Sequence, residues 1–182
     1  MKTVIIRVLL IVASLLTASH ALAQTVTYLH GDKAMFDITY PDGWKVEIMA
    51  PSKPGGVRTL AAGPADRFVW TGFWAVPDAK NLDEAQDRLQ EIAESVVSDA
   101  RQVGKSEAGT VNGMPVRYYK GTGTFSPKDK NKKKRPLEFV AMLFQPAPGA
   151  FCAGVYLGPP DTLKSVEPAL NRMVNSLRPS TR

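Results

Sequence analysis

Residues 127–136 read PKDKNKKKRP, and six of these side chains are cationic: Lys128, Lys130, Lys132, Lys133, Lys134 and Arg135. Only Asp129 opposes them. The chemistry open to such a block is electrostatic: attraction to phosphates, to an anionic bilayer or to an acidic protein face. A cation held against an anionic bilayer contributes about 1 kcal/mol before screening, and charges more than about 8 Å apart are screened at physiological salt. Binding through the block is therefore weak, reversible and salt-sensitive. A bare solvated loop is the plain alternative.

The inventory for covalent and acid–base chemistry is thin. The chain has two histidines, His20 and His30, and one cysteine, Cys152. A Ser-His-Asp triad or a Cys-His pair would have to use His30, which stands beside Gly31-Asp32 at the end of a strand-like run. Cys152 lies inside the apolar stretch FCAGVYL, where a free thiol is an inert core residue. There are no paired Cys or His ligands and no calcium-type carboxylate loop, so no metal or cofactor is expected. Gly121-x-Gly123 lacks the following helix whose N-terminus would face a phosphate. It reads instead as a bulge or a close backbone approach.

A second cluster is aromatic. Trp70, Phe73 and Trp74 lie in RFVWTGFWAV, residues 67–76, and Tyr118-Tyr119 lie further along. Trp70 and Trp74 share one side of a strand, and with Tyr118 they are candidates to line a pocket for a sugar or an apolar ligand. Filling the space between sheet and helix is the favoured reading, since the apolar pattern on both strand faces already explains them without a ligand.

The elements that must position these residues follow from periodicity. MFDITY (35–40) and WKVEIM (44–49) alternate as strands on either side of the turn Pro41-Asp42-Gly43. Val57–Ala62 and Arg67–Val76 read as further strands. Asn81 with Glu84 makes a capping box for a helix whose stripe is Ala85, Leu89, Ile92, Ala93, Val96, Val97 and Ala100, with Gly104 as its stop. Asn112-Gly113 is a hairpin turn between Glu107–Val111 and a strand from Met114 to about Phe125. The basic block at 126–136 is then the tip of a second hairpin, leading into LEFVAMLFQ (137–145) and FCAGVYL (151–157). A last helix reaches Leu177, with Asp161, Thr162 or Ser165 as its cap and Pro168 in its first turn. Both alternating sets of LEFVAMLFQ are apolar, which marks a strand covered on both faces. The expectation is an α+β fold: a three-layer α/β/α sandwich, a mainly antiparallel sheet with one helix on each face.

The N-terminus has the layout of a secretory signal peptide. Lys2 and Arg7 precede an apolar run from Val8 to Leu16, and Ala21-Leu22-Ala23 is a small-residue cleavage site. The run is shorter than the roughly 20 residues that span a bilayer. No cysteine follows the site, so lipid attachment is not expected and the product should be secreted, periplasmic or extracellular, without a membrane span. Residues 24–182 then form one domain, large enough to rely on its core, and a single cysteine allows no internal disulfide. Losing Lys2 and Arg7 lowers the net charge from +6 to +4, while residues 127–136 alone carry +5. The positive charge is a local feature and not a broad nucleic-acid-binding face.

The stretch FDITYPDGWKVE, residues 36–47, resembles the opening of PsbP/DcrB-like domains, and the end of the last helix, Met173-Val174-Asn175-Ser176-Leu177, is similar to their closing segment. The order of strands, helix, three strands and helix fits as well. The resemblance implies an α/β/α sandwich and an extracytoplasmic, accessory role without a shared catalytic site. Its members include PsbP subunits, which dock on the lumenal side of photosystem II, and envelope proteins such as DcrB. The lysine block is not part of the shared pattern, and the DcrB-type lipid-attachment cysteine is absent. The function expected is that of a non-catalytic accessory or scaffold protein of the envelope. Its partner would be an envelope protein or an anionic lipid or lipopolysaccharide surface, and not nucleic acid. The alternatives are a small-ligand binder with the aromatic pocket, and an unrecognised hydrolase.

Overall fold

The computed structural model describes residues 23–51, 56–125 and 134–181, with 90–96 described by their backbone alone. The element order is β1 (Gln24–His30), β2 (Lys33–Tyr40), β3 (Trp44–Met49), β4 (Thr59–Pro64), β5 (Trp70–Ala75), α1 (Leu82–Val96), β6 (Ser98–Val111), β7 (Met114–Phe125), β8 (Arg135–Ala147), β9 (Ala150–Gly158), α2 (Pro160–Ser176) and β10 (Arg178–Pro179). They form two antiparallel sheets, a small one in the order β1-β2-β10 and a large one in the order β3-β4-β5-β9-β8-β7-β6.

The expected three-layer α/β/α sandwich with one helix on each face is therefore corrected: the described residues are mostly antiparallel strand, in two sheets, with two short helices among them. The difference begins at Pro41-Asp42-Gly43. The turn is present, closed by the Trp44 amide donating to the Pro41 carbonyl at 3.3 Å, with Gly43 at φ +74°. It does not join neighbouring strands, however. It carries the chain from the small sheet into the large one. β2 pairs with β1 on one side and with Arg178–Pro179 on the other, so residues far apart in sequence close the second sheet.

The small sheet packs on the large one through aromatic rings. Phe36 stacks on Tyr28 with centroids 5.0 Å apart and meets Phe144 edge-on at 5.1 Å and Phe73 at 6.1 Å. This core also takes in Ile38, Tyr40 and, from α2, Leu163, Val166, Leu170 and Met173. A second core holds the other alternating set, Leu137, Phe139, Ala141 and Leu143 of β8, with Trp74 of β5 and Ala85 and Leu89 of α1. The two apolar faces of LEFVAMLFQ are accounted for by these two cores.

Two glycines open room for rings on the facing strand. Gly154 stands opposite Phe73 in the β5–β9 pair, and Gly121 opposite Phe139 in the β7–β8 pair. A Cβ on Gly154 would lie 2.5 Å from the Phe73 ring, and one on Gly121 would lie 2.1 Å from the Phe139 ring. The close approach expected at Gly121 is thus a cross-strand glycine–aromatic pair.

Both helices differ from expectation at one end. The Asn81 carboxamide accepts the amides of Asp83 and Glu84, both at 2.9 Å, and Glu84 reaches back to the Lys80 amide at 3.0 Å. The start of α1 is therefore as expected. It stops at Val96 and not near Gly104, because residues from Ser98 onward pair with β7 (Ser98 opposite Thr124, Arg101 opposite Thr122). Gly104, at φ +77°, lies in the irregular stretch of β6 between Val103 and Glu107. In α2, Pro160 occupies the first turn, Pro168 lies inside the helix, and no side chain caps the start.

Candidate interaction site

The β7–β8 hairpin is formed as the sequence suggests, with slightly different limits. Phe125 at the end of β7 stands opposite Arg135 at the start of β8, and Thr124 stands opposite Pro136. Arg135 and Pro136 are thus strand residues, not loop. Lys128, Lys130, Lys132 and Lys133 lie outside the described residues. Lys134 and Arg135 are both exposed, and the Lys134 ammonium stands 3.9 Å from the Asp99 carboxylate. Both partners of that contact are largely in water, so it contributes little to stability. Phe125 is anchored beside it by the Phe68 ring at a centroid distance of 5.1 Å.

The aromatic candidates are not brought together. Trp74 is buried among the residues beneath α1, and Trp70, half-buried, packs at the edge of the same core with its indole over Gly72. Tyr118 packs against the other core, on the opposite face of the large sheet. The sheet itself separates Tyr118 from the two tryptophans.

The candidates for covalent chemistry are equally far from a site. His30 is exposed at the end of β1, opposite Lys33. Cys152 is fully buried, and burial pushes its thiol up from the ordinary value. A desolvated thiol with no cation beside it is a poor nucleophile. Among the described residues no three His, Cys, Asp or Glu side chains gather as metal ligands, and no helix is long and apolar enough to cross a membrane.

One concavity was missed from the sequence. A cleft of about 580 Å³ runs between the N-terminal half of α2 and the large sheet. Tyr156 and Val140 line it from the sheet, Lys120 and Glu138 stand at the strand side, and Lys164 and Glu167 project from α2. The Tyr156 hydroxyl is pushed up to about 12, first by burial and then by Tyr118 and Glu167 nearby. A phenol so raised is neutral at physiological pH and is no base there. Of β9 only Tyr156 reaches this cleft, within a strand that is otherwise apolar or small. Without knowing where α2 lies, such a strand reads as core.

No family model matches the chain, and no curated protein matches it significantly. Solved structures do. The PsbP protein (CyanoP) of the cyanobacterium Synechocystis sp. PCC 6803 superposes with a TM-score of 0.57 at 15% identity, over 87% of this chain and 94% of that one. LpqN of Mycobacterium tuberculosis, involved in cell envelope biogenesis, superposes with a TM-score of 0.52 at 17% identity, over 86% of this chain and 91% of that one. The fold is PsbP-like. At such identities the likeness speaks for the fold alone, and the PsbP-like fold carries no fixed chemistry from one protein to the next.

Proposed function

We propose that this chain is an exported, non-catalytic accessory protein of the cell envelope that meets an anionic surface through its β7–β8 hairpin. The observation that carries the proposal is the concentration of charge. Residues 127–136 hold +5 of a +6 chain, and the end of β7, Phe125, is paired with the start of β8, Arg135. One point of the fold therefore carries the positive charge while the rest is near neutral. The N-terminal residues 1–23, with their basic start and Ala21-Leu22-Ala23 site, support export. A PsbP-like fold shared with a protein of envelope biogenesis is in keeping with that location.

The test is cosedimentation with vesicles. The purified protein should pellet with vesicles rich in anionic phospholipid and stay in solution with neutral ones. Binding should fall steeply as salt rises. Replacing Lys130, Lys132, Lys133 and Lys134 by Ser should abolish it. A wild-type protein that ignores anionic vesicles, or a variant that binds as well as wild type, overturns the proposal.

A further inference from the structure

The two edges of the large sheet are treated differently. β6 forms one edge, and it is broken by two irregularities, between Ser98 and Arg101 and between Val103 and Glu107. Bulges of this kind twist an edge away from new partners. β3 forms the other edge and has none: all six of its residues, from Trp44 to Met49, pair with β4 in unbroken register. No described strand pairs with its outer side. Ile48 is 64% exposed and Met49 48% exposed on this open edge, although Trp44 and Val46, on the same side of the strand as Ile48, pack against the core.

An open lysine usually protects such an edge. Here Lys45 is offset by Glu47, two residues on and 2.5 Å from it, on the same side of the strand. That spacing selects a partner. If a second copy of β3 lay antiparallel alongside, pairing Lys45 with Lys45 or Glu47 with Glu47 would set like charges opposite each other. A slip by one residue would oppose the apolar side to the charged side. In the register where Val46 faces Val46 across a two-fold axis, Lys45 stands opposite Glu47 twice and Trp44 opposite Ile48 twice. Both faces of the strand are then self-complementary, as a two-fold interface requires.

We propose that β3 is a self-association edge, at which two copies of this chain join their large sheets into one continuous antiparallel sheet centred on Val46. The occupant is a second copy because both the charge pattern and the apolar pattern are complementary to themselves, in one register. This surface is distinct from the basic hairpin and does not rest on the reading given above for it.

The experiment is sedimentation equilibrium on the purified protein with charge-swapped variants. Lys45 and Glu47 are largely exposed, so Lys45→Glu and Glu47→Lys should leave the monomer fold intact, checked by circular dichroism. The wild type should show a concentration-dependent dimer. Each single variant should weaken it at least 10-fold, and mixing the two variants should restore it as a heterodimer. In addition, Val46→Cys should cross-link to its own copy on oxidation, since paired antiparallel residues stand within disulfide reach. The native thiol, Cys152, is buried and gives no background. A protein that is monomeric at every concentration, a dimer that survives both charge swaps, or a Val46→Cys variant that does not cross-link overturns the proposal.

Discussion

The hydroxyl of Tyr28 accepts a hydrogen bond from the backbone amide of Ala75 at 3.0 Å, and donates one to the carbonyl of Arg58 at 2.8 Å. Tyr28 belongs to the small sheet, Ala75 ends β5 in the large one, and Arg58 directly precedes β4. One phenol thus ties the two sheets together at a buried point, beside the Phe36 ring on which it stacks.

Tyr28→Phe should therefore be more damaging than the loss of one surface hydroxyl. The ring and its stacking survive, but the buried Ala75 amide loses its acceptor. Leaving such a donor unsatisfied costs about 1–3 kcal/mol. Urea unfolding followed by tryptophan fluorescence should show a lower midpoint at unchanged slope; an unchanged midpoint would mean the tie is not structural.

Gly154→Ala should strain the large sheet by pushing the Phe73 ring out of its place. Overpacking of this kind costs about 1–3 kcal/mol. Because Phe73 is the residue that must move, Gly154→Ala combined with Phe73→Leu should cost less than the sum of the two single changes. Strict additivity in that cycle would count against the pairing.

Asn112 does two jobs. It supplies the left-handed residue of the β6–β7 turn at φ +47°, and its side-chain amide donates to the carbonyls of Asn175 at 2.8 Å and Leu177 at 2.7 Å, at the end of α2. Asn112→Gly keeps the turn, since glycine tolerates positive φ, and removes only the tether. Stability should drop by about 1 kcal/mol, and amide exchange should quicken in the last turn of α2 while β6 and β7 are unaffected. Exchange that rises across the hairpin as well would show that the turn, not the tether, had failed.

The same residue shows what the sequence could and could not say. Asn112-Gly113 announces a hairpin because the two φ values it needs are a local matter. That the Asn112 side chain would reach α2 depends on residues more than sixty positions away, and nothing local encodes it. The cap at Asn81 and the double coverage of LEFVAMLFQ were readable for the same reason: each is a pattern within one element. The second sheet was not, because its third strand is only Arg178–Pro179, two residues paired with β2, too short to leave a period. The end of α1 was misplaced because Val97 and Ala100 continue the helical stripe by chance while their backbone pairs or leads into β6. Among the candidate site residues, the run of charge at 127–136 is plain in the sequence, and most of it lies outside the described residues. The grouping of Trp70, Trp74 and Tyr118 was not, since choosing between the two faces of a sheet requires the register of strands distant in sequence.

If residues 1–23 direct export, the protein recovered from outside the cytoplasm should begin at Gln24. Replacing Ala21 and Ala23 with bulky residues should leave the longer form attached to the membrane fraction. N-terminal sequencing separates these outcomes, and recovery of an uncut chain from the cytoplasm alone would contradict the export reading.

Alkaline pH should destabilise the fold. Burial raises the hydroxyls of Tyr28, Tyr40 and Tyr118 and the thiol of Cys152, and it pushes Tyr156 up to about 12. In the unfolded chain the thiol gives up its proton near 9.0 and the phenols near 10.0. Above pH 9 the unfolded state therefore binds fewer protons than the folded one, so stability falls as pH rises. The stabilisation is complete below the unfolded values and is lost through the window between them and the raised folded ones. For Tyr156 that window runs from 10.0 to about 12, and the loss across it is about 2 kcal/mol. Urea midpoints measured at pH 8, 9, 10 and 11 should fall with increasing slope. Tyr156→Phe should flatten the fall between pH 10 and 11, because phenylalanine has no proton to lose, while leaving the pH 8 to 9 limb, where Cys152 dominates, unchanged. A wild-type midpoint that is flat up to pH 11 would show that these groups ionise as readily in the folded protein as in the unfolded chain.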